Sequence, residues 1–395
     1  MLVTRVTGDC PSCGSKNSFG NVSIHENRIL QGCKRCSYRD SVQLPEVRKK
    51  ILYLDQFFFS GTFKENDSRF QSVAEKIQDL AAKQLIVTPF SSVHEDETHI
   101  WRGYAGRSKD ELMEFIKRSA RGHEFEPTYS VENAQIVQAF SSFLDKRQPT
   151  LHIEEKDVLR ENVHCWDDYM WIDVGRYIQD IDEMRDRKDE TTNTLVDQLE
   201  AWRNSSNTFE QNVDREFRDA AQIYLDTFLT YMQRLAAGDF MATLDSPISS
   251  EIVQSLLHYL SDDVASEEKI KTIVQFFKSD HFRNVASLRV FGEMFAVFIE
   301  QVKGGAFANK EKARPRLAGF MNDLRHISTY GPYVDAFVMD QYMANLVRDG
   351  RVSLRAEFGT KIYSLNNLDD LLSWLDGLEN QMNDEHTKAL AIAYG

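Results

Sequence analysis

Prolines are scarce in this chain, 8 in 395 residues, so long stretches can run as helix without the lost donor and steric clash that proline brings. Long apolar runs are absent too. The most hydrophobic windows, such as residues 294–299, are far too short for a bilayer-spanning helix, so no membrane association is expected. Positive charge is outweighed, with 47 lysines and arginines against 61 aspartates and glutamates, for a formal net charge of −14. A broad electrostatic grip on a phosphate backbone is therefore disfavoured, whereas a local basic strip is not. No signal-peptide pattern opens the chain, which makes a cytoplasmic location the expectation. There is no GxxxxGK[ST] phosphate loop, no GxGxxG after a strand and no GxSxG elbow. P-loop, dinucleotide and α/β-hydrolase chemistries thereby lose their usual support.

Cysteine is rare as well, and four of the five form two CxxC pairs, Cys10/Cys13 and Cys33/Cys36, separated by residues 14–32. In a reducing compartment this spacing suits a four-thiolate Zn²⁺ site better than disulfides. Gly14 follows the first pair, Gly32 precedes the second, and residues 19–31 can make a hairpin. Residues 1–45 are expected to be a zinc ribbon with Zn²⁺ in a structural role. Arg5, Lys16, Arg28, Lys34, Arg35 and Arg39 make this end basic, which suits docking onto nucleic acid or a partner. Cys165, between His164 and Trp166, reads as a partly buried thiol.

What the chain does have is a set of short apolar runs that end in carboxylates. Residues 49–56, Lys-Lys-Ile-Leu-Tyr-Leu-Asp-Gln, read as a buried strand of a parallel sheet with Asp55 at its carboxyl end. Residues 85–88 read as a second strand, followed by a helix that carries His94, Glu95, Asp96 and Glu97 in its first turns. Residues 335–340 and 360–364 supply two more strands, and Asp340 ends one as Asp55 ends the other. Helices are expected over 72–83, 317–330, 341–349 and 368–378. Asp323 falls in the first half of the second of these, near the same edge. Residues 98–314 show helical spacing and no βαβ alternation, and the charge-dense segment 180–190 reads as a solvated face. In open α/β sheets ligands bind beyond the carboxyl ends of the strands. Singly, each acid could be a helix cap or a surface residue. Together, Asp55, Glu97, Asp323 and Asp340 would repel one another unless hard cations such as Mg²⁺ or Mn²⁺ neutralise them.

The segments at 51–55, 88–97, 323–330 and 335–340 resemble those of a PIN-like nuclease domain. The resemblance implies that Asp55, Glu97, Asp323 and Asp340 are both the Mg²⁺ or Mn²⁺ ligands and the catalytic acids. It implies an α/β fold: a PIN-like three-layer α/β/α core with a mostly parallel sheet, beside the ribbon and a large α-helical insertion. The core would span 49–105 and 315–395, with 106–314 as the insertion. The pattern departs at Met339, where Thr or Ser is usual, and in the length of the insertion. Asp335 and Asp96 lie near enough to the motifs to substitute as ligands.

Trp101, Arg102, Tyr104, Arg107, Lys109, Lys117, Arg118 and Arg121 follow Glu97. Basic residues interleaved with aromatics suit phosphate contact and base stacking, and Arg102, Arg107 and Lys109 are the substrate-binding candidates. An ordinary solvated helix face explains them equally well. The expected function is a divalent-metal-dependent nuclease acting on nucleic acid, RNA rather than DNA, in the role of a microbial toxin or phage-defence effector. The competing expectation is a non-catalytic nucleic-acid- or protein-binding scaffold on the same fold. Any homo-oligomer or protein partner is expected to dock through the insertion.

Overall fold

The computed structural model describes residues 2–64, 67–101, 103, 105–150, 152–159, 161–170, 181–243 and 248–395, with the backbone alone at 181, 183 and 248. It is a mixed α/β structure with two four-stranded sheets. The first is antiparallel, in the order β1 (Arg5–Gly8), β2 (Phe19–His25), β3 (Arg28–Cys33), β4 (Arg39–Gln43). A side chain at Gly20 would meet the Arg5 carbonyl oxygen at 2.0 Å, so only glycine lets β1 and β2 pair this closely. The apolar side of this sheet, Ile24 and Ile29, packs with Trp166 and with Ala389 and Ala393 of the last helix.

The second sheet is parallel, in the order β6 (Ile86–Val87), β5 (Lys50–Leu54), β7 (Ala336–Val338), β8 (Lys361–Tyr363). Strands from both ends of the chain thus form one sheet. Successive β5 side chains point to opposite faces. Ile51 and Tyr53 enter one core, Leu52 and Leu54 another. All four are buried, at roughly 2 kcal/mol of apolar transfer each, and a strand covered on both faces needs an unbroken apolar run.

The first helices are α1 (Gln56–Lys64), α2 (Ser68–Ala82), α3 (Ser92–Ile100) and α4 (Lys109–Ala120). They are followed by α5 (Thr128–Leu144), α6 (Ile181–Arg203), α7 (Phe209–Ala236), α8 (Ile248–Tyr259), α9 (Ser266–Phe277), α10 (Asp280–Arg283), α11 (Ala286–Lys303) and α12 (Lys310–Leu317). The chain closes with α13 (Phe320–Tyr330), α14 (Gln341–Val347), α15 (Ser353–Phe358), α16 (Leu368–Glu379) and α17 (Asp384–Ala393). Helices α1, α2, α4 and α16 cover one face of the parallel sheet, and α11, α13, α14 and α15 the other. Helices α5 and α7–α10 close a third core of their own. The single helix expected over 317–330 is two, because Gly319 takes a left-handed φ of 91° between α12 and α13. Among the described residues no helix is long and apolar enough to cross a membrane.

The two edges of the parallel sheet differ in charge balance. At the amino edge Lys49 pairs with Asp167, and Lys50 Nζ donates to Asp335 Oδ1 at 2.6 Å. The carboxyl edge is different.

Candidate metal centres

The cysteines sit on two knuckles at one end of the ribbon, the first turned by Gly14 at φ 66°. Their sulfurs all lie within 4.8 Å of one another, with Cys10–Cys36 at 3.7 Å and Cys13–Cys33 at 3.8 Å. A disulfide needs about 2 Å. Four thiolates on one ion with bonds of about 2.3 Å stand about 3.8 Å apart. The four side chains can therefore hold one metal ion such as zinc. The Ser18 hydroxyl, 3.4 Å from Cys33 Sγ, leads the interactions that hold that thiol down at about 6 against burial, and the Arg35 amide donates to the same sulfur at 3.2 Å. Arg5 of this basic end is already engaged, donating to the Ala391 carbonyl at 3.1 Å.

At the carboxyl edge Asp55 leaves β5 and enters α1. Its amide donates to the Val338 carbonyl at 2.9 Å, its Oδ1 accepts from the Gln56 amide at 2.8 Å, and it is 7% exposed. Helix α3 is tied to this edge by His94. The Ser91 amide donates to His94 Nδ1 at 3.0 Å, which leaves the proton on Nε2 to reach the Leu54 carbonyl at 2.8 Å. Burial pushes His94 down to about 4, so the imidazole is neutral and serves as a strut. Gln56 Nε2 donates to Thr98 Oγ1 at 3.0 Å and fixes the next turn, which carries Glu97. Asp340 caps α14, accepting from the Tyr342 and Met343 amides at 2.6 and 3.1 Å. Asp323 comes from the first turn of α13.

The four acids act on one another. Burial, then the charge of Asp55, raises Glu97 above the usual carboxylate range. Burial followed by Asp55, Glu97 and Asp340 raises Asp323 well above it. Burial and Asp55 also raise Asp340, although the Met343 amide pulls the other way. Among the described residues no lysine or arginine pairs with any of the four within 4 Å, in contrast to the amino edge. The cation that Glu97 and Asp323 both feel is Lys188 of α6. Lys188 lies beside the start of α13, where a side chain at Gly319 would meet its Nζ at 3.5 Å, an ordinary contact. Lys188, Glu97 and Arg325 line a cavity of about 450 Å³ between α3, α6 and α13. The acids do not form a compact ligand set. Among the described residues the cysteines alone place three or more ligand atoms within 4.8 Å of one another.

His326, one helical turn after Asp323, belongs to this site and is not among the residues expected from the sequence. Its Nε2 lies 3.5 Å from Asp55 Oδ1, and neither ring nitrogen has a hydrogen-bond partner. The Asp-x-x-His spacing is the signal that puts it on the same helix face as Asp323. Asp335 lies at the opposite edge, where it accepts from Lys50 and from the Ile51 amide at 2.9 Å, so it stands apart from the other acids. Asp96 is exposed and lines the cavity beside Glu97.

Of the substrate-binding candidates, Arg102 lies outside the described residues, as does Tyr104. Arg107 donates to the Phe63 carbonyl and stacks over its ring at 5.0 Å, and Lys109 Nζ is 3.3 Å from His99 Nδ1. Lys117 approaches Glu95 at 3.6 Å, Arg118 pairs with Glu114, and Arg121 with Asp167. Comparison with protein-family models, curated proteins and solved structures finds no match to this chain.

Proposed function

We propose that this chain is a divalent-metal-dependent nuclease with a PIN-like α/β/α core, hydrolysing phosphodiester bonds in RNA in preference to DNA. The observation that carries this reading is the gathering of four carboxylates at one sheet edge, where burial and the charge of Asp55 raise Glu97, Asp323 and Asp340. Asp55, Glu97, Asp323 and Asp340 come from segments at the two ends of the chain, and none has an ion-pairing lysine or arginine among the described residues. A fold that tolerates such an arrangement gains when a cation binds there. A divalent ion so bound supplies Lewis acidity to a phosphoryl oxygen and lowers the pKa of its water. The chain's own part is to keep the carboxylates ionised and oriented: His94 braces α3, the α14 amides hold Asp340, and Lys188 offers a positive wall to an incoming phosphate.

The competing scaffold reading draws on one specific observation. Asp340 also serves as an ordinary helix cap, and the acids are more loosely spaced than the cysteines. End-labelled single-stranded RNA and DNA, incubated with purified protein and Mg²⁺ or Mn²⁺, decide between the two. Cleavage that is lost in Asp55→Asn and Asp340→Asn supports the nuclease. No cleavage by the parent protein under either ion supports the scaffold.

A further inference from the structure

His326 is fully buried, yet both its ring nitrogens lack hydrogen-bond partners. Buried polar groups are nearly always satisfied by protein, water or an ion. The ring is held in place, lying 6.1 Å from Phe337 at an interplanar angle of 13° and 5.9 Å from Tyr53. Its Nε2 is directed at Asp55, whose Oδ1 is 3.5 Å away. That separation is too long for a good hydrogen bond. It is close to the spacing of two ligands sharing one ion: bonds of about 2.1 Å put neighbouring donors about 3.0 Å apart in an octahedron and about 3.4 Å apart in a tetrahedron.

We infer that Asp55 and His326 together bind one first-row transition-metal ion at the carboxyl edge, in preference to Mg²⁺. An imidazole nitrogen suits the transition metals, whereas Mg²⁺ takes oxygen ligands and keeps its waters. Glu97, Asp323 and Asp340 add the negative charge that retains the ion. This deepens the nuclease reading by naming the class of its metal, and it shares the acid residues with that reading. The metal claim nevertheless has a readout that needs no substrate.

The experiment uses the full chain with zinc in the cysteine site and Mn²⁺ as the probe. Pulsed EPR of bound Mn²⁺ is expected to show nitrogen coupling from an imidazole, lost in His326→Asn. Mn²⁺ affinity in that variant should fall on the order of 10- to 100-fold, with Mg²⁺ affinity little changed. Retained zinc and helical content show that the variant is folded; if it is not, the nitrogen coupling in the parent protein decides alone. Mn²⁺ bound without nitrogen coupling, or no Mn²⁺ bound at all, overturns the inference. A chain that holds Mn²⁺ through the imidazole but cleaves nothing defeats the nuclease reading and leaves the metal site standing. Mg²⁺-dependent cleavage by a chain whose Mn²⁺ shows no nitrogen coupling does the reverse.

Discussion

Lys49 and Asp167 are ion-paired at the amino edge of the parallel sheet, with 1% and 11% of their side chains exposed. Arg121 Nε joins Asp167 at 2.9 Å, and His123 lies between Asp167 and Glu161. Burial works against His123, but the two carboxylates beside it, Glu161 hydrogen-bonded at 2.6 Å and Asp167 lying 3.4 Å away, raise it above its ordinary range. Asp167 is held far below the usual carboxylate range by His123 and Lys49, in spite of its own burial. A raised His stabilises the fold at low pH and loses that contribution as pH rises through its folded pKa; a depressed Asp does so above its unfolded pKa and loses it as pH falls. The network should therefore stabilise most between about pH 4 and 6.5. Asp167→Asn strands buried cations and should cost about 3 kcal/mol or more. Denaturant melts across pH 4–8 should show this loss together with a flattened profile on the histidine side.

The cysteine site should carry about one zinc per chain by metal analysis. Cys10→Ser/Cys13→Ser should remove it. Because the ribbon also seats α17 through Asn21 Nδ2, which donates to the Ile392 carbonyl at 3.0 Å, zinc loss should loosen the C-terminal helix. Hydrogen exchange over 384–393 measures that effect, and full zinc content in the double variant would sink the assignment.

Metal and pH should be linked at the carboxyl edge. Glu97, Asp323 and Asp340 are raised, so their protonated forms favour the fold and the metal-free protein should lose stability as pH climbs through their folded pKa values. Added Mg²⁺ or Mn²⁺ should raise the melting temperature more at pH 8 than at pH 5. Asp55→Asn should leave the metal-free protein as stable or more stable, abolish cleavage and shrink the metal-induced shift. A metal shift independent of pH argues against these acids as the binding groups.

Lys188 lowers both Glu97 and Asp323. Lys188→Ala should let them rise further, so that the onset of cleavage moves to higher pH, while Lys188→Arg restores the parent profile. Zinc content, set by the cysteines of residues 10–36, should not change. An unchanged pH–rate curve in the alanine variant would mean that α6 plays no part at the site.

The strands were legible because a sheet covered on both faces needs unbroken apolar runs, and Ile51-Leu52-Tyr53-Leu54 is one. Asp335 and Asp340 show the limit of that reading. The three-residue strand between them puts one acid at each edge, and the partner that separates them, Lys50, lies far away in sequence. The break at Gly319 is masked by apolar periodicity that runs on through Leu317 and Phe320. Lys188 lies in a charge-dense segment, 180–190, that looks solvated, with Asp180 itself outside the described residues. Its place at the site depends on how α6 packs across the chain, which local pattern does not encode. His326 is visible as the third residue after Asp323, but a lone histidine on an apolar helix face reads as core until its missing partners are seen.

The neighbour of β5 on one side is β7, and Lys50 and Asp335 are separated by 285 positions. At synthesis rates of about 5–20 residues per second, the first strand waits on the order of 15 to 60 s for that neighbour to emerge. Until then Leu52 and Leu54 lack the cover of β7, and Asp55 and Glu97 stand without Asp323 and Asp340. A prematurely terminated product therefore carries only half of the acid group and an open sheet edge suited to capture by chaperones or to aggregation. The order in which the chain is made thus acts as a safeguard: whatever chemistry the site performs is withheld until β7 and Asp340 have been made.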